Sequence, residues 1–399
     1  MKNLFLITDH PELGTGNAKV ARELIKRLQL NYKIVGMIGW SGIGDNNYDF
    51  PIYPISPDNQ TSIVCQHIIE KAFLKNKIDA IVCHGDIWDF PYLTNINHIK
   101  KIGYITIDVH PLRREWTSIF RAFDGLAITS EWGAKQLAND LNIEAEFIHE
   151  GVDTSIFHPM DPQEKAMELK AVQKGCMAKG YNVPSFFMTM LARPIIRKNL
   201  PAGIRAISRM GRIHNDVGYV VLHSDDIGRD MNNMDLYINQ YFPPKMPKIR
   251  KSKVGPRHKT SDEIIGKILS TCHVLVHPSM HEGFGLPLVE AMACGCVPIC
   301  TNSSSMTELV QGRGELVKVA GYVVDATPGY EGVESEIIDD DDLFNKINGL
   351  YLDRNRLDKL RKTGIAFAKT LTWDKTVTKL DKLISDTLNN KIKIEVIKI

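Results

Sequence analysis

Strand-like and helix-like segments alternate along most of the chain, and this alternation constrains the fold more than any other feature. Short apolar runs are followed by longer amphipathic stretches, first from residue 4 to residue 149 and again from residue 186 onward. Such alternation is typical of βαβ units, in which crossover helices join parallel strands. The sequence therefore predicts an α/β protein with two Rossmann-like, doubly wound domains.

The predicted elements can be placed approximately along the chain. In the first half we predict helices over residues 18–28 and 62–75 and strands over residues 4–8, 32–38, 80–83, 101–107, 125–129 and 146–149. In the second half we predict strands over residues 186–191, 220–222, 272–277 and 297–300. The charged, Ala-rich stretch 161–181 is predicted to be a surface helix between the two series.

Composition supports a two-domain enzyme. The chain has 399 residues, of which 43% are hydrophobic and 24% are charged, enough for two cores. A net charge of +2 gives no overall field that favours nucleic acid, so we expect no nucleic-acid partner. Seven cysteines without metal-like spacing indicate a reducing compartment. We find neither a signal peptide nor a run of ~20 apolar residues, and we expect a cytoplasmic location.

The segment from His281 to Met292 contains the most informative local motif. A buried strand precedes it, Gly283 and Gly285 allow a tight turn, and Pro287 suits the first turn of a helix predicted over 286–294. The amino terminus of such a helix favours a diphosphate. A carboxylate can accept hydrogen bonds from vicinal sugar hydroxyls. The alternative is that the two acidic residues of the segment only cap and decorate the helix.

These two acids, Glu282 and Glu290, are separated by seven residues, and the motif resembles the signature of glycosyltransferase family 4 (group 1). The resemblance extends from the first strand to a late tryptophan. It implies a retaining enzyme of the GT-B fold, with two Rossmann-like domains facing across a cleft and a terminal helix that crosses back to the first domain. It also implies that Glu282 positions the donor sugar and that Glu290 holds the nucleotide ribose. The donor site would include Gly283, Phe284, Gly285 and Leu286.

Two cations follow the first strand of the second half. Arg193 and Lys198 match the Arg and Lys that the family places five residues apart, although Ala192 and Asn199 stand where the family usually has glycine. Cations at the carboxyl end of a strand can neutralise a departing nucleoside diphosphate, so no metal is required. A solvated basic loop is the alternative.

The first half carries further candidates. Gly14 and Gly16 follow the first strand but lack the third glycine of a dinucleotide fingerprint, so NAD binding is disfavoured. In the resemblance, this loop faces the acceptor and the donor phosphates. His110 matches the family position that contacts the donor sugar, although a lone histidine at a strand end is more often structural.

Weaker candidates for the acceptor side lie at the same predicted sheet edge. Asp86 and Trp88 follow the strand at 80–83, and Asp108 follows the strand at 101–107. Aromatic rings and carboxylates suit sugar acceptors, but ordinary surface loops have the same composition.

The predicted domains are residues 1–155, residues 156–370 and a crossover helix with its tail at 371–399. Residues 149–159 resemble the family's interdomain connection, with Glu150 in place of the usual Asn. Asp339 to Asp342 are predicted to cap a helix. The alternating tail 391–399 fits an edge strand, a homodimer contact or a frayed end.

The basic loop 245–259 contains seven cations and no acid. It is compatible with weak contact to an anionic membrane, which would make the protein peripheral to that membrane. An exposed solubilising insertion is the alternative.

Together these features predict a metal-independent hexosyltransferase. Its donor would be a UDP-, GDP- or ADP-linked sugar, and its acceptor a glycan, lipid, protein or small molecule, with chemistry in the cleft between the domains. No separate cofactor is expected. The alternatives are a non-catalytic sugar-nucleotide binder of the same fold and a GT-B epimerase or phosphorylase. A glycosidase is disfavoured because hydrolysis needs no phosphate site.

Overall fold

A computed structural model describes residues 1–41, 47–56, 61–223, 234–250, 260–325 and 329–391. Two compact units are present. The first unit comprises residues 1–151, 324–334 and 373–399, and the second comprises residues 152–323 and 335–372. Each unit is built around a parallel sheet, as the alternation of strand and helix patterns predicts.

The first unit contains a seven-stranded sheet. Its strands are β1 (Lys2–Asp9), β2 (Tyr32–Trp40), β3 (Ile52–Ile55), β4 (Ala80–Asp86), β5 (Lys100–Thr106), β6 (Gly125–Ile128) and β7 (Glu146–Phe147). Its first four helices are α1 (Gly16–Leu28), α2 (Thr61–Asn76), α3 (Thr117–Phe120) and α4 (Glu131–Leu141). Short 3-10 turns lie at Ile87–Asp89, Pro91–Asn95 and Arg114–Trp116.

The strand order in this sheet is β3-β2-β1-β4-β5-β6-β7, and all neighbouring strands are parallel. Its central strands β1 and β4 are buried over most of their length and contain the apolar runs 4–7 and 80–83, as expected for a sheet covered by helices on both faces. The order reverses between β1 and β4, and loops that follow the strands at such a point form the usual ligand site of open α/β sheets.

The second unit contains a six-stranded sheet and a two-stranded sheet. The large sheet has β8 (Phe186–Ala192), β9 (Val217–His223), β10 (Lys248–Arg250), β11 (Val274–His277), β12 (Val297–Thr301) and β13 (Glu315–Val317), and the small one has β14 (Val319–Val324) and β15 (Glu334–Ile338). The helices are α5 (Pro162–Ala178), α6 (Leu200–Ile213), α7 (Met234–Tyr241), α8 (Asp262–Thr271), α9 (Leu286–Ala293), α10 (Ser304–Val310), α11 (Asp340–Leu352) and α12 (Arg354–Ala368).

The large sheet repeats the topology of the first. Its order is β10-β9-β8-β11-β12-β13, again with parallel neighbours throughout. The order reverses between β8 and β11. The loops that follow these two strands therefore begin side by side at the carboxyl edge of the sheet.

Two segments from the carboxyl-terminal part of the chain belong to the first unit. Helix α13 (Trp373–Leu388) buries Trp373, Leu380 and Ile384, and the hydroxyl of Thr376 donates to the carbonyl of His149 at 2.7 Å. The predicted return of the terminal helix to the first domain is thus confirmed. Residues 324–334 also cluster with the first unit, a feature that the sequence does not predict.

Several local predictions are confirmed, and others differ by a few residues. Asp339 caps α11, because its Oδ1 accepts from the amides of Asp341 and Asp342 at 3.0 and 2.9 Å. The strand predicted from residue 272 begins at Val274, because Cys272 ends α8. All seven cysteines are buried and none forms a disulfide, as expected for small apolar side chains. Residues 251–259 of the basic loop and the tail 392–399 lie outside the described residues.

Candidate functional site

The two loops at the switch point of the second unit carry most of the predicted donor site. The loop after β8 contains Arg193 and Lys198, and the loop after β11 contains Glu282. A hydrogen bond of 2.8 Å from the amide of Met280 to the carbonyl of Arg197 ties the loops together. Residues that are 84 positions apart in sequence are therefore brought into contact because their strands are neighbours in the sheet.

Lys198 and Glu282 form a nearly buried ion pair. The Lys198 Nζ donates to Glu282 Oε1 at 2.5 Å, and the two side chains are only 12% and 8% exposed. Arg197 Nη1 lies 3.6 Å from Glu282 Oε2 and donates to the carbonyl of His281 at 3.3 Å. His277 Nε2 lies 2.7 Å from Glu282 Oε1 and donates to it, since an ionised carboxylate only accepts hydrogen bonds. One carboxylate is thus surrounded by three nitrogen groups.

This arrangement fixes the charge states of the pair. Burial opposes ionisation of Glu282, but Lys198, His277 and Arg197 outweigh burial and hold the pKa of its carboxyl well below the usual range. Burial, followed by repulsion from Arg197, lowers the pKa of Lys198 to about 8, although Glu282 acts in the opposite direction. Glu282 is therefore an acceptor and not a proton donor near neutral pH, and the site contains more positive than negative charge.

The conformation of the loop before α6 explains one departure from the family pattern. Asn199 adopts the left-handed region with φ of +44° and precedes the first residue of α6. Glycine adopts this conformation most easily, and Asn is among the few other residues that tolerate it. The substitution of Asn for the family's usual Gly at this position therefore preserves the turn that presents Lys198.

The turn of the 281–292 motif presents the first turn of α9. Gly285 has φ of +104° and is the residue before the helix, and Pro287 lies in the first turn as predicted. Glu290 lies on α9 and is 3% exposed. It does not simply decorate a solvated face, because every residue of this helix except Pro287 is buried.

Two serine residues at the start of α10 hold the motif in place. Ser304 Oγ accepts from the amide of Glu282 at 2.9 Å, and Ser305 Oγ donates to the carbonyls of Glu282 and Phe284 at 2.7 and 2.8 Å. His281 is fully buried and its Nε2 lies 3.0 Å from the hydroxyl of Ser335. The backbone around Glu282 is thus fixed from both sides.

In the first unit, the glycine-rich loop follows β1. Gly14 lies in a bend and Gly16 is the first residue of α1. Between them, Thr15 accepts from the amide of Ala18 at 3.1 Å and donates to Asp9 at 2.5 Å. The loop thus opens a helix at the switch point of its sheet, which is the position expected of a phosphate-facing loop.

The acceptor-side candidates Asp86, Trp88 and Asp108, and the predicted donor-sugar contact His110, lie at or after the carboxyl ends of β4 and β5, which are neighbours in the same sheet. Asp86 accepts from the hydroxyl of Thr106 at 2.6 Å. Asp108 is 3% exposed and accepts from the hydroxyl of Tyr330 at 3.0 Å. His110 is half-buried and packs edge-on against Trp132, with ring centres 6.1 Å apart. Trp88 is half-buried and contacts the rings of Trp116 and Tyr330.

The structure therefore gathers the predicted residues into two groups. Arg193, Lys198, Glu282 and Glu290 lie in the second unit, whereas Gly14, Gly16, Asp86, Trp88, Asp108 and His110 lie in the first. Sequence reasoning missed the residues that support the group in the second unit. These residues are Arg197, His277, His281, Ser304 and Ser305. Only the nearness of Arg197 to Lys198 and of the histidines to Glu282 in the sequence could have indicated them.

The described residues contain neither a metal-binding cluster nor a membrane-spanning helix. They contain no group of three or more His, Cys, Asp or Glu that could hold a metal ion. No helix in the described ranges has the length and apolar character needed to cross a bilayer.

Residues 257–366 match the family model for Glycosyl transferases group 1. Among curated proteins, the chain is 43% identical over 130 residues to the Serotype-specific mannosyltransferase WbdA of Escherichia coli, which covers 33% of this chain and 15% of that protein. The chain spans only 15% to 32% of the length of the first curated relatives that it matches.

Solved structures match the chain over almost its whole length. Sucrose-phosphate synthase from Thermosynechococcus elongatus has a TM-score of 0.75 at 16% identity and covers 98% of this chain and 100% of its own. HepE from Anabaena, in complex with UDP and glucose, has a TM-score of 0.69 at 12% identity and covers 97% and 100%. The chain thus has the GT-B fold, and the resemblance to the group 1 glycosyltransferases predicted from its sequence is confirmed through residues 257–366.

Proposed function

We propose that this chain is a retaining hexosyltransferase of glycosyltransferase family 4, which moves a hexose from a nucleotide-diphosphate sugar to a hydroxyl acceptor. The bond between the sugar's anomeric carbon and the diphosphate breaks, and its electron pair leaves with the diphosphate. The acceptor oxygen bonds to the anomeric carbon on the same face, and its proton passes to the departing diphosphate.

The observation that carries the proposal is the buried cluster around Glu282. A diphosphate leaving group develops negative charge, and Arg193 and Lys198 supply positive charge from the loop after β8. Because the site has more cationic than anionic groups, it favours the binding of an anionic leaving group. The adjacent amino terminus of α9 adds the partial positive charge of the helix dipole, which favours the same anion.

The carboxylates of Glu282 and Glu290 bind the donor sugar and the nucleotide ribose, respectively. Glu282 is held ionised, so that it can accept hydrogen bonds from hydroxyls of the donor sugar. Glu290 would accept from the nucleotide ribose, as the family resemblance implies. The resemblance assigns to His110 a contact with the donor sugar.

The names of two similar proteins suggest which donor sugars to test first. WbdA is named as a mannosyltransferase, and HepE was solved with UDP and glucose. Mannose and glucose are therefore the first sugars to test. The acceptor stays open to glycan, lipid, protein and small-molecule classes.

The test is a thermal-shift and hydrolysis screen of the purified chain against UDP-glucose, GDP-mannose, ADP-glucose and the matching free nucleoside diphosphates. We expect one donor to raise the melting temperature and to release its sugar slowly. The Glu290→Ala variant should bind the nucleoside diphosphate at least 10-fold more weakly, since it leaves ribose hydroxyls unpaired.

The matched control is Glu331→Ala, which removes an acid that is half exposed in the first unit. It should leave nucleotide affinity unchanged. Binding without turnover, even with acceptor extracts, would favour a non-catalytic sugar-nucleotide binder. If no nucleotide sugar binds, the proposed site is wrong.

A further inference from the structure

The segment 329–334, here called the docking segment, comes from the carboxyl-terminal half of the sequence but packs in the first unit. The chain leaves the second unit after Val323 and re-enters it at Ser335. Two residues of the docking segment are part of the first unit's hydrophobic core: Val333 is fully buried and Tyr330 is only 8% exposed. The docking segment is therefore a structural part of the first unit, although residues 152–323 of the second unit separate it from residues 1–151 in the sequence.

The docking segment is shaped to fit Trp88. Gly329 has φ of +90°, and a Cβ added there would lie only 2.8 Å from the indole nitrogen of Trp88. The ring of Tyr330 packs edge-on against the same indole at 4.7 Å between centres, and Trp116 packs against Trp88 at 5.4 Å. This close fit places Tyr330 beside the loops that follow β4 and β5.

The hydroxyl of Tyr330 reaches a buried carboxylate. It donates to Asp108 Oδ2 at 3.0 Å, and Asp108 is 3% exposed. A buried carboxylate needs hydrogen-bond donors to offset its lost hydration. The aromatic contacts alone would be satisfied by phenylalanine, so the hydroxyl is the part of Tyr330 that acts on Asp108.

A second contact of the docking segment is with the backbone of His110, two residues after Asp108. The amide of Glu334 donates to the carbonyl of His110 at 3.1 Å, in an isolated antiparallel bridge. At the rim, Arg113 Nη1 lies 3.2 Å from a carboxylate oxygen of Glu331. The docking segment thus contacts the turn 108–113 at a side chain, at the backbone and at a surface ion pair.

We propose that Tyr330 is a positioning residue for the turn that carries Asp108 and His110, and that the docking segment thereby determines the geometry of that turn. The inference rests on the proposed function, in which His110 contacts the donor sugar. Tyr330 itself touches no substrate and acts through Asp108.

The test is a double-mutant cycle of Tyr330→Phe and Asp108→Ala, measured as donor hydrolysis with the nucleotide sugar that the screen selects. Tyr330→Phe keeps the ring contacts and removes one bond to a charged group, so kcat should fall about 10-fold. The affinity for the nucleoside diphosphate alone should not change, because the residues that the proposed function assigns to that ligand, Arg193, Lys198 and Glu290, lie in the second unit. In the Asp108→Ala background, Tyr330→Phe should change kcat by less than about 2-fold.

Tyr351→Phe is the matched control. The Tyr351 hydroxyl also donates to an aspartate, at 2.7 Å to Asp216, but this pair lies in the second unit away from the loops of the site. The control should keep wild-type kcat. A 10-fold loss in the control as well, independent effects that multiply in the double variant, or wild-type kcat in Tyr330→Phe would each overturn the proposal.

Hydrogen exchange separates failure of this inference from failure of the proposed function. In the ligand-free protein, the Glu334 amide should exchange faster in Tyr330→Phe than in wild type or Tyr351→Phe. If the wild-type chain turns over no donor, the proposed function fails, and exchange alone then decides whether Tyr330 orders the turn. Equal exchange at Glu334 in all three proteins would overturn the proposal.

Discussion

At the scale of single residues, the charge of Lys198 responds to pH in the neutral to mildly alkaline range. Its pKa of about 8 means that the ammonium is largely charged at pH 7 and mostly neutral at pH 9. Glu282 stays ionised throughout, because its pKa is held well below the usual range. Catalysis that depends on the Lys198 cation should therefore weaken as pH rises, with no opposing change from Glu282.

We predict that kcat/KM for donor hydrolysis falls as pH rises above about 8, approaching 10-fold per pH unit, because the free enzyme loses the Lys198 cation. Lys198→Met should lose at least 100-fold at pH 7. A profile that stays flat from pH 7 to pH 10 would contradict the assignment of this cation to the leaving diphosphate.

Unfolding at high pH can be distinguished from this effect. The pKa of Lys198 is lower in the folded chain than the ordinary 10.5, so between about pH 8 and 10.5 the unfolded chain binds more protons at this residue. The contribution of Lys198 to the free energy of unfolding therefore rises with pH in that window. Melting temperatures measured alongside the rates should show no loss of stability that is due to Lys198.

Sequence reasoning selected Glu282, Glu290, Arg193 and Lys198, because their spacing resembles the family motif and because cations at a strand end suit a diphosphate. It could not select His277, Arg197 or Ser305, because their roles depend on distances between loops. The Lys198–Glu282 contact is a case in point: each residue was selected, but their pairing follows only from the strand order.

At the scale of elements, the start of α9 depends on one residue. Gly285 has φ of +104°, and a Cβ there would lie 3.0 Å from Leu288 Cδ1. We predict that Gly285→Ala lowers the free energy of unfolding by about 1–3 kcal/mol. It should also weaken donor binding, because the first turn of α9 shifts. Chemical denaturation and donor titration measure the two effects.

Gly349→Ala is the matched control. Gly349 lies within α11, has no positive φ, and a Cβ added there would meet no atom within 4 Å. The same substitution should raise stability by about 0.5–1 kcal/mol there, since alanine favours a helix. If the two variants change stability in the same direction, the backbone conformation of Gly285 does not control the start of α9.

The long, regular elements could be predicted because their apolar patterns are strong, as in the buried runs of β1 and β4 and the amphipathic helix α1. The short strands β3, β10, β13, β14 and β15 were not predicted. β14 is largely exposed and β13 has only three residues, so neither gives a clear pattern of burial. The docking segment was missed for a different reason. Its contacts are with residues more than 200 positions earlier in the sequence, and a local pattern does not show such contacts.

At the scale of the whole molecule, each unit has its own parallel sheet and its own hydrophobic core. The first unit is completed by segments from the far end of the chain, α13 among them. Helix α13 packs against α1, β5 and β6, and Leu380 on it is fully buried. The stability of the amino-terminal sheet should therefore depend on residues near the carboxyl terminus.

We predict that Leu380→Ala lowers the stability of the first unit by about 2–5 kcal/mol through a core cavity. Hydrogen exchange should speed up in β5 and β6 and stay unchanged in β11 and β12. Leu350→Ala in α11, whose side chain is buried in the core of the second unit, should give the reverse pattern. Because each unit has its own core, the two variants need not share one cooperative transition. If both variants accelerate exchange equally in both sheets, the chain unfolds as a single unit and α13 has no special relation to the first sheet.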